Sequence, residues 1–376
     1  MGESVYEAMG GAEGCRKLST AFYARVQGDP VLRPLFPGKS MRCAVEAFAA
    51  FLCQFLGDSA EDSQFRWWLS LEESHRRFGI GAEHRVAWVE NMREALSDVP
   101  MAETARVALL DFFRHSSAYV VNQGDRPAVA GIDGELDRRW NAQLELDAIV
   151  AAVRNADDER AVALAGKAIS ETHNRSVIVG ILSVMMGGNR DPLRRFVGER
   201  VVDDPALVYE RRAGRTLLHF AAAQGDDVTV SLLLHSGAEA DAKTSGGHTP
   251  LYCLANECGT AGTERIVRLL VQHGADVNAA DGVKRCTPLH MAARRGFIET
   301  AGALLDCGAD IEALDSLGET PLRRAVNCNK TGVAALFLSR GADRHSWGRR
   351  GLTPLLAARS EAMKRVLTAE SGREAD

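Results

Sequence analysis

Apolar residues in the first third of the chain recur at intervals of three and four. The pattern is clear in four stretches, at positions 18–26, 45–56, 86–96 and 107–118. Because this spacing places apolar side chains on one face of an α-helix, it predicts four amphipathic helices. Residues 6–122 are therefore expected to fold as a small helical bundle.

A different pattern begins near residue 215, where short phrases return at a fixed period. Threonines at 216, 249, 287, 320 and 353 open phrases of the type Thr-Pro-Leu or Thr-Leu-Leu, at intervals of 33 residues apart from one of 38. The first four units each continue into an apolar run that ends at a glycine: Gly237, Gly274, Gly308 and Gly341. Self-similarity at such a period indicates a stack of repeats.

Each residue of the phrase has a local structural role. Threonine caps a helix N-terminus, proline suits the first helical position, and glycine ends the second helix in a left-handed conformation. Each unit is thus predicted to be helix, turn, helix and hairpin loop. The second unit is longer than the others, and residues 256–262 are expected to lengthen the turn between its helices.

The phrase at 287–292, Thr-Pro-Leu-His-Met-Ala, resembles that of the ankyrin repeat. The resemblance implies an α-solenoid with a concave protein-binding face, where aromatic and arginine side chains would dominate the contacts. The expected partner contacts are Arg285, Arg294, Arg295 and Trp347. For each of them, an ordinary solvated side chain is the alternative. His219 and His290 are expected to serve the hydrogen bonds within the repeats.

The composition indicates more than one folding unit. The chain has 376 residues, beyond the size at which single cores usually stop growing. A formal charge of −5 gives no general attraction to nucleic acid or to an anionic membrane, and no apolar run reaches the length of a membrane span. The eight cysteines include no CxxC pair and the N-terminus has no secretion-signal pattern. We therefore expect a cytoplasmic protein that binds neither nucleic acid nor membrane.

One histidine, His75, lies in the charged sequence Glu-Glu-Ser-His-Arg-Arg-Phe-Gly at 72–79. Taken alone, a histidine among four charges is most often a solvated surface side chain. An ordered set of residues around it, however, resembles the truncated haemoglobins, in particular their second group. The set comprises residues 6–11, 22–23, 29–32, 35–38, 51–57, 75–80, 85–88 and Met92, so the resemblance covers about residues 4–122.

This resemblance implies a 2-on-2-like helical sandwich that binds haem b and a diatomic gas: oxygen, nitric oxide or carbon monoxide. It places His75 as the proximal iron ligand, with Phe78 and Ile80 packed beneath the porphyrin. It assigns Tyr23 and Trp88 as hydrogen-bond donors to the bound gas. The other expected haem contacts are Phe22, Phe36, Phe51, Leu52 and Phe55.

These patterns predict an all-α protein with a truncated globin followed by an ankyrin solenoid. We expect a haem domain at 1–123, a linker with a bridging helix at 124–156, degenerate capping helices or a first repeat at 157–212, and about four repeats with a truncated cap at 213–376. Three functions remain open: a gas sensor or adaptor that acts through the ankyrin face, a haem enzyme that consumes peroxide or nitric oxide, and a scaffold with a haem-free globin. A non-enzymatic gas-binding and interaction protein is the expected one.

Overall fold

The computed structural model describes residues 4–36, 40–57, 75, 76, 78–125, 127, 131, 134–172, 174–212, 214–348 and 351–369. Residues 37 and 38 of the haemoglobin-like set, residue 77 and part of the predicted linker lie outside these ranges. The described residues hold only an isolated bridge, between Arg212 and Arg215, in place of any β-sheet. The predicted all-α fold is therefore confirmed.

The chain divides into two compact units, Met1–Glu171 and Thr172–Asp376. The described helices of the first unit are α1 (Val5–Ala8), α2 (Gly11–Val26), α3 (Arg42–Leu56), α4 (Ala82–Asp98), α5 (Glu103–Tyr119), α6 (Glu135–Arg154) and α7 (Asp158–Ser170), with a 3-10 turn at Arg33–Leu35. Helices α2 to α5 contain the four stretches with helical apolar spacing, so that prediction is confirmed. The finer domain boundaries stay a prediction.

The core of the first unit lies between two helix pairs. Helix α2 packs against α3, α4 packs against α5, and α2 also contacts α4. The apolar faces meet in one cluster that includes the fully buried Phe22, Leu52 and Phe113. Since a buried aromatic or leucine side chain stabilises a fold by about 1.5–3 kcal/mol, these three residues alone contribute several kcal/mol. This packing fixes α2, α3 and α4, the helices that carry most of the predicted haem contacts.

The second unit is a succession of helix pairs. Its helices are α8 (Arg175–Met186), α9 (Asp191–Asp203), α10 (Leu217–Gln224), α11 (Asp227–His235), α12 (Pro250–Glu257), α13 (Thr263–Gln272), α14 (Pro288–Arg295), α15 (Ile298–Asp306), α16 (Pro321–Asn327), α17 (Thr331–Ser339), α18 (Pro354–Ala357) and α19 (Glu361–Thr368), with a 3-10 turn at Pro205–Val208. The first helices of successive repeats, from α10 to α16, pack against one another, and so do the second helices. Each repeat thus covers the apolar face of the next.

The caps predicted for the repeats are present. The side chain of Thr287 accepts a hydrogen bond from the backbone N–H of His290, and the other Thr-Pro threonines cap in the same way: Thr249, Thr320 and Thr353. Gly237, Gly274, Gly308 and Gly341, which follow the second helices, all have φ between 87° and 93°. This left-handed conformation is the one that glycine adopts without strain. The lengthened turn of the second unit is also confirmed, since five residues separate α12 from α13.

The histidines of the repeat phrases, His219 and His290, are buried within the stack of repeats. His219 Nε2 lies 3.1 Å from the carbonyl oxygen of His248, and His290 Nε2 lies 2.9 Å from that of Glu319. A carbonyl can only accept, so each Nε2 carries the proton and each Nδ1 accepts a bond from the backbone N–H of Thr216 or Thr287. The expectation that both histidines serve bonds within the repeats is confirmed.

Candidate functional site

Two aromatic side chains on α2 lie at the centre of the candidate site. The rings of Phe22 and Tyr23 are 5.1 Å apart, and Phe22 is also 5.1 Å from the indole of Trp88 on α4. Tyr23 lies 5.5 Å from Phe36, which follows the 3-10 turn, and Phe36 lies 6.2 Å from Phe78. A continuous line of ring contacts therefore connects the two predicted gas-contacting residues to the segment that carries His75.

Helix α3 supplies the other wall. Phe48 lies 6.2 Å from Tyr23 and 6.3 Å from Phe51, and Phe51 stacks on Phe55 at 5.6 Å. The spacing of three and four residues along α3 places these side chains on one face, as the helical period requires. The structure thus brings the predicted contacts from α2, α3 and α4 to one region of the first unit.

The predicted contacts fall into two groups by burial. His75, Tyr23, Phe36, Phe51, Phe78 and Trp88 are only half-buried. Phe22, Leu52, Phe55 and Ile80 are buried, and the first three belong to the core cluster. Half-buried rings in mutual contact still expose apolar surface that a docked planar group could cover, whereas the buried group acts through packing behind it.

The two predicted donors keep their polar atoms available. Among the described residues, neither the Tyr23 hydroxyl nor the Trp88 indole N–H has a hydrogen-bond partner. Burial raises the pKa of Tyr23, so the phenol stays protonated and remains a donor. Such a pair of donors beside apolar rings fits a bound group that carries an acceptor.

His75 belongs to a short segment whose backbone is held by hydrogen bonds to Asn122, which follows α5. The side-chain amide of Asn122 donates to the carbonyl of Phe78 at 2.7 Å and accepts from Ile80 N–H at 2.8 Å. The same amide nitrogen lies 3.4 Å from the carbonyl of His75, and Asn122 N–H donates to the Ile80 carbonyl at 2.9 Å. Asn122 therefore fixes the backbone that presents the histidine.

The loop before Phe36 is held in a comparable way. The carboxylate of Asp29 accepts bonds from the N–H groups of Val31 and Leu32, and the Asn91 side chain on α4 donates to it at 2.6 Å. Burial raises the pKa of Asp29, but these hydrogen bonds outweigh it and leave the pKa below its usual value. The carboxylate is therefore ionised and positions the loop against α4.

Sequence reasoning missed three of these contributors. Asn122 and Asn91 act through side-chain amides on residues 42 and 62 positions away, and no local pattern indicates such pairs. Phe113 on α5, which lies 5.5 Å from Trp88, was read as one more apolar residue of a helix. Its buried position behind Trp88 becomes apparent only once α4 and α5 are packed together.

Within the described residues, no group of three or more His, Cys, Asp and Glu side chains is placed to hold a metal ion. A haem iron needs only a single protein ligand, because the porphyrin supplies the others. The single histidine, the apolar rings and the two donors fit a haem.

The predicted partner contacts of the second unit lie at its surface. Trp347 is 71% exposed, which is unusual for so large an apolar side chain. Arg285 and Arg294 are exposed as well, and Arg295, also exposed, donates to the carbonyl of Asn256 at 2.6 Å. Arg295 is therefore partly engaged in holding the long turn of the second repeat.

Comparison with known families agrees with both units. The two units correspond to a globin followed by ankyrin repeats. Residues 4–121 match the model of the bacterial-like globin family, and models of three ankyrin repeats match residues 182–281 and 261–347. The first part of the chain thus matches the bacterial-like globins, and through its second part the chain belongs to the ankyrin-repeat proteins.

Several curated proteins are similar over about a third of the chain. Human Ankyrin repeat and SOCS box protein 16 is 38% identical over 153 residues, which cover 39% of this chain and 33% of that protein. The Gallus gallus Nuclear factor NF-kappa-B p105 subunit is 36% identical over 138 residues, covering 36% and 14%. Human Cyclin-dependent kinase inhibitor 2A is 33% identical over 131 residues, covering 35% and 81%. The chain thus spans a third or less of the first two relatives.

Among the described residues, no helix is both long enough and apolar enough to cross a membrane.

Proposed function

We propose that the first unit binds haem b and, through it, a diatomic gas, and that the second unit holds a protein partner. The observation that carries the first part is the line of ring contacts from Phe78 through Phe36 to Tyr23 and on to Trp88 by way of Phe22. It supports the proposal because it connects the segment that carries His75 with the two predicted donors. Group II membership, which the residue pattern suggests, belongs to the same proposal.

In this proposal each side chain has a separate task. A bound haem supplies the iron to which a diatomic gas attaches. His75 would be the protein ligand to that iron, held by the bonds that Asn122 makes to its segment. Tyr23 and Trp88 would donate hydrogen bonds toward the gas, and Phe36, Phe51 and Phe78 would pack against the haem.

An absorption spectrum of the purified chain tests this directly. We expect a Soret band in the haem-supplemented protein that shifts when the reduced form takes up carbon monoxide, and that is lost or strongly altered in His75→Ala. His84, a half-buried histidine of α4, supplies the matched control, and His84→Asn should keep the spectrum. A colourless, fully folded chain after haem supplementation would instead support a scaffold with a haem-free globin.

The donor roles have their own measurement. Tyr23→Phe removes the hydroxyl and keeps the ring contacts with Phe22 and Phe36. Because one charge-assisted or dipolar hydrogen bond is worth about 1–2 kcal/mol, the dissociation rate of oxygen should rise by about ten-fold. An unchanged rate would remove Tyr23 from the proposed site.

The ankyrin unit is proposed to bind a protein through its exposed first helices and hairpin tips. The exposed indole of Trp347 and the guanidinium of Arg294 support this, since such groups form the anchors of protein interfaces. Trp347→Ala should weaken the binding of a protein partner by more than ten-fold. His345→Ala, at an exposed neighbouring position, is the control.

A sensor further requires that the two units be coupled. The partner's affinity should then differ between the haem-free, ferric and ferrous carbonyl forms of the full chain. Identical affinities in all three forms would leave an adaptor without a sensing role.

A further inference from the structure

Two histidines of neighbouring repeats lie side by side at the ends of their helices. His235 is the last residue of α11, and His273 directly follows the last residue of α13. Their rings are 5.4 Å apart with an angle of 68° between the ring planes, and both residues are exposed. The corresponding ends of α15 and α17 carry Cys307 and Arg340, so these two repeats differ from the ones that follow.

Each ring is oriented by a hydrogen bond within its own repeat. The Nδ1–H of His235 donates to the carbonyl of Ser231 at 2.7 Å, and that of His273 donates to the carbonyl of Leu269 at 2.8 Å. A carbonyl can only accept, so Nδ1 carries the proton in both neutral rings and Nε2 presents a lone pair. Among the described residues, neither Nε2 has a hydrogen-bond partner. A bond of this kind to the other ring nitrogen is what usually orients a metal-binding histidine.

The helices that carry the two histidines are held side by side. Arg265 in the first turn of α13 forms a salt bridge of 2.8 Å with Asp227 in the first turn of α11, and the two helices pack against each other. The histidines therefore lie at the matching C-terminal ends of neighbouring helices. The dipoles of both helices favour a positive charge at that end.

The separation of the two rings suits a single metal ion. Zinc binds imidazole nitrogen at about 2.0–2.1 Å in tetrahedral geometry, which places the centres of two bound rings about 5 Å apart. The observed 5.4 Å is close to this separation, so the two helices need not move for both rings to reach one ion. Imidazole is also a ligand that zinc prefers.

We propose that His235 and His273 together bind one Zn²⁺ ion, with water in the remaining coordination positions. The Nε2 lone pair of each ring is the ligand, and the ion links α11 to α13 across neighbouring repeats. The hydrogen bonds at Nδ1 keep both rings in the tautomer that can bind the ion. Because the site lies within the second unit, it can be measured whether or not the first unit binds haem.

Equilibrium dialysis of the full chain against Zn²⁺ near neutral pH tests the shared site. The chain should bind one zinc ion more than His235→Asn and one more than His273→Asn. The double variant should lose no further ion, because either substitution alone destroys a shared site. His345→Asn, at another exposed histidine of the repeats, is the control and should keep the ion.

Three outcomes would overturn the proposal. Loss of the ion in only one of the single variants would mean that one histidine binds without the other. Loss of two ions in the double variant would mean two separate sites. Equal zinc binding by the chain and all its variants would mean that the two rings form an ordinary edge-to-face packing contact.

The link between the repeats gives a second measurement. At a free Zn²⁺ concentration about ten times the dissociation constant of the site, hydrogen exchange that requires α11 and α13 to separate should slow by about ten-fold. Peptides from 227–235 and 263–273 would report this change. Mg²⁺, which prefers oxygen ligands, should have no such effect. An equal slowing by Zn²⁺ in His273→Asn would contradict a link through this histidine.

Discussion

The histidines of the two units are held in opposite ways. His219 and His290 are fully buried, and both ring nitrogens of each are committed to neighbouring repeats or to a helix cap. His75 is half-buried and lies in a segment that is positioned by backbone bonds to Asn122. The first arrangement makes a histidine a structural part, whereas the second fixes the backbone of the segment that carries His75. A histidine's role therefore depends on what holds its backbone as much as on its neighbours in sequence.

The largest loss of stability should come from removing a buried histidine of the repeats. His219→Ala deletes the bond to the His248 carbonyl and the acceptor of Thr216 N–H, and it leaves a cavity in a buried site. We expect the free energy of unfolding of the second unit to fall by about 3 kcal/mol. Urea unfolding followed by hydrogen exchange of peptides from 217–295 would measure it.

The matched control is His235→Ala, an exposed histidine whose ring is hydrogen-bonded within its own helix and lies 5.4 Å from the ring of His273. Its loss should cost less than about 0.5 kcal/mol, as is usual for surface positions. A comparable loss of unfolding free energy in His219→Ala and His235→Ala would mean that the hydrogen bond from His219 to the next repeat does not stabilise the second unit.

The buried histidines of the repeats should also make the stability of the second unit depend on pH. Burial lowers the pKa of His219 to about 4, whereas an unfolded histidine titrates near 6.5. The unfolded chain therefore binds more protons between these two pKa values, and stability falls as the pH decreases through that window, by about 1.4 kcal/mol per pH unit. Burial lowers the pKa of His290 as well, which adds in the same direction.

From pH 6.5 to pH 5 the second unit should thus lose about 2 kcal/mol through His219 alone. Hydrogen exchange of peptides from 217–224 in the full chain would report this loss separately from the first unit. His219→Gln keeps an amide donor toward His248 and does not titrate, so its profile should be flatter. An equally steep profile in the variant would assign the acid sensitivity to other groups.

The two units also differ in how much their sequences predict. In the repeats, a threonine, a proline and a glycine act on neighbouring residues, so caps, turns and helix ends followed from local chemistry. In the first unit the helices followed from apolar periodicity, but the residues that organise the site did not. Asn122 bonds to Ile80 from 42 residues away, and Asn91 bonds to Asp29 from 62 residues away. Such contacts depend on how helices pack, which periodicity does not specify.

A substitution at Asn122 is therefore a direct test of the proposed role of His75 as a haem ligand. Asn122→Ala removes the partners of Ile80 N–H and the Phe78 carbonyl, so the segment should hold the histidine less firmly. If the first unit binds haem, the rate of haem loss to an acceptor globin should rise by about ten-fold, which corresponds to about 1.4 kcal/mol. Asn141→Ala, at an exposed position of α6, is the control. A higher rate in both variants would indicate general destabilisation, and no change in either would show that Asn122 does not position the ligand.

The smallest effects concern two helix starts, one capped by a side chain and one not. Thr287 caps α14 with its side chain, whereas Ala102, the residue before α5, has an extended backbone and no side-chain cap. Thr287→Ala should destabilise the second unit by about 1 kcal/mol, while Ala102→Ser offers an acceptor to the exposed first turn of α5 and should stabilise the first unit by about 0.5 kcal/mol. Thermal unfolding of the two single variants and their combination would measure both changes. Because the two sites lie in different compact units, the changes should add. A loss at Ala102→Ser would mean that α5 begins where packing against α4 dictates.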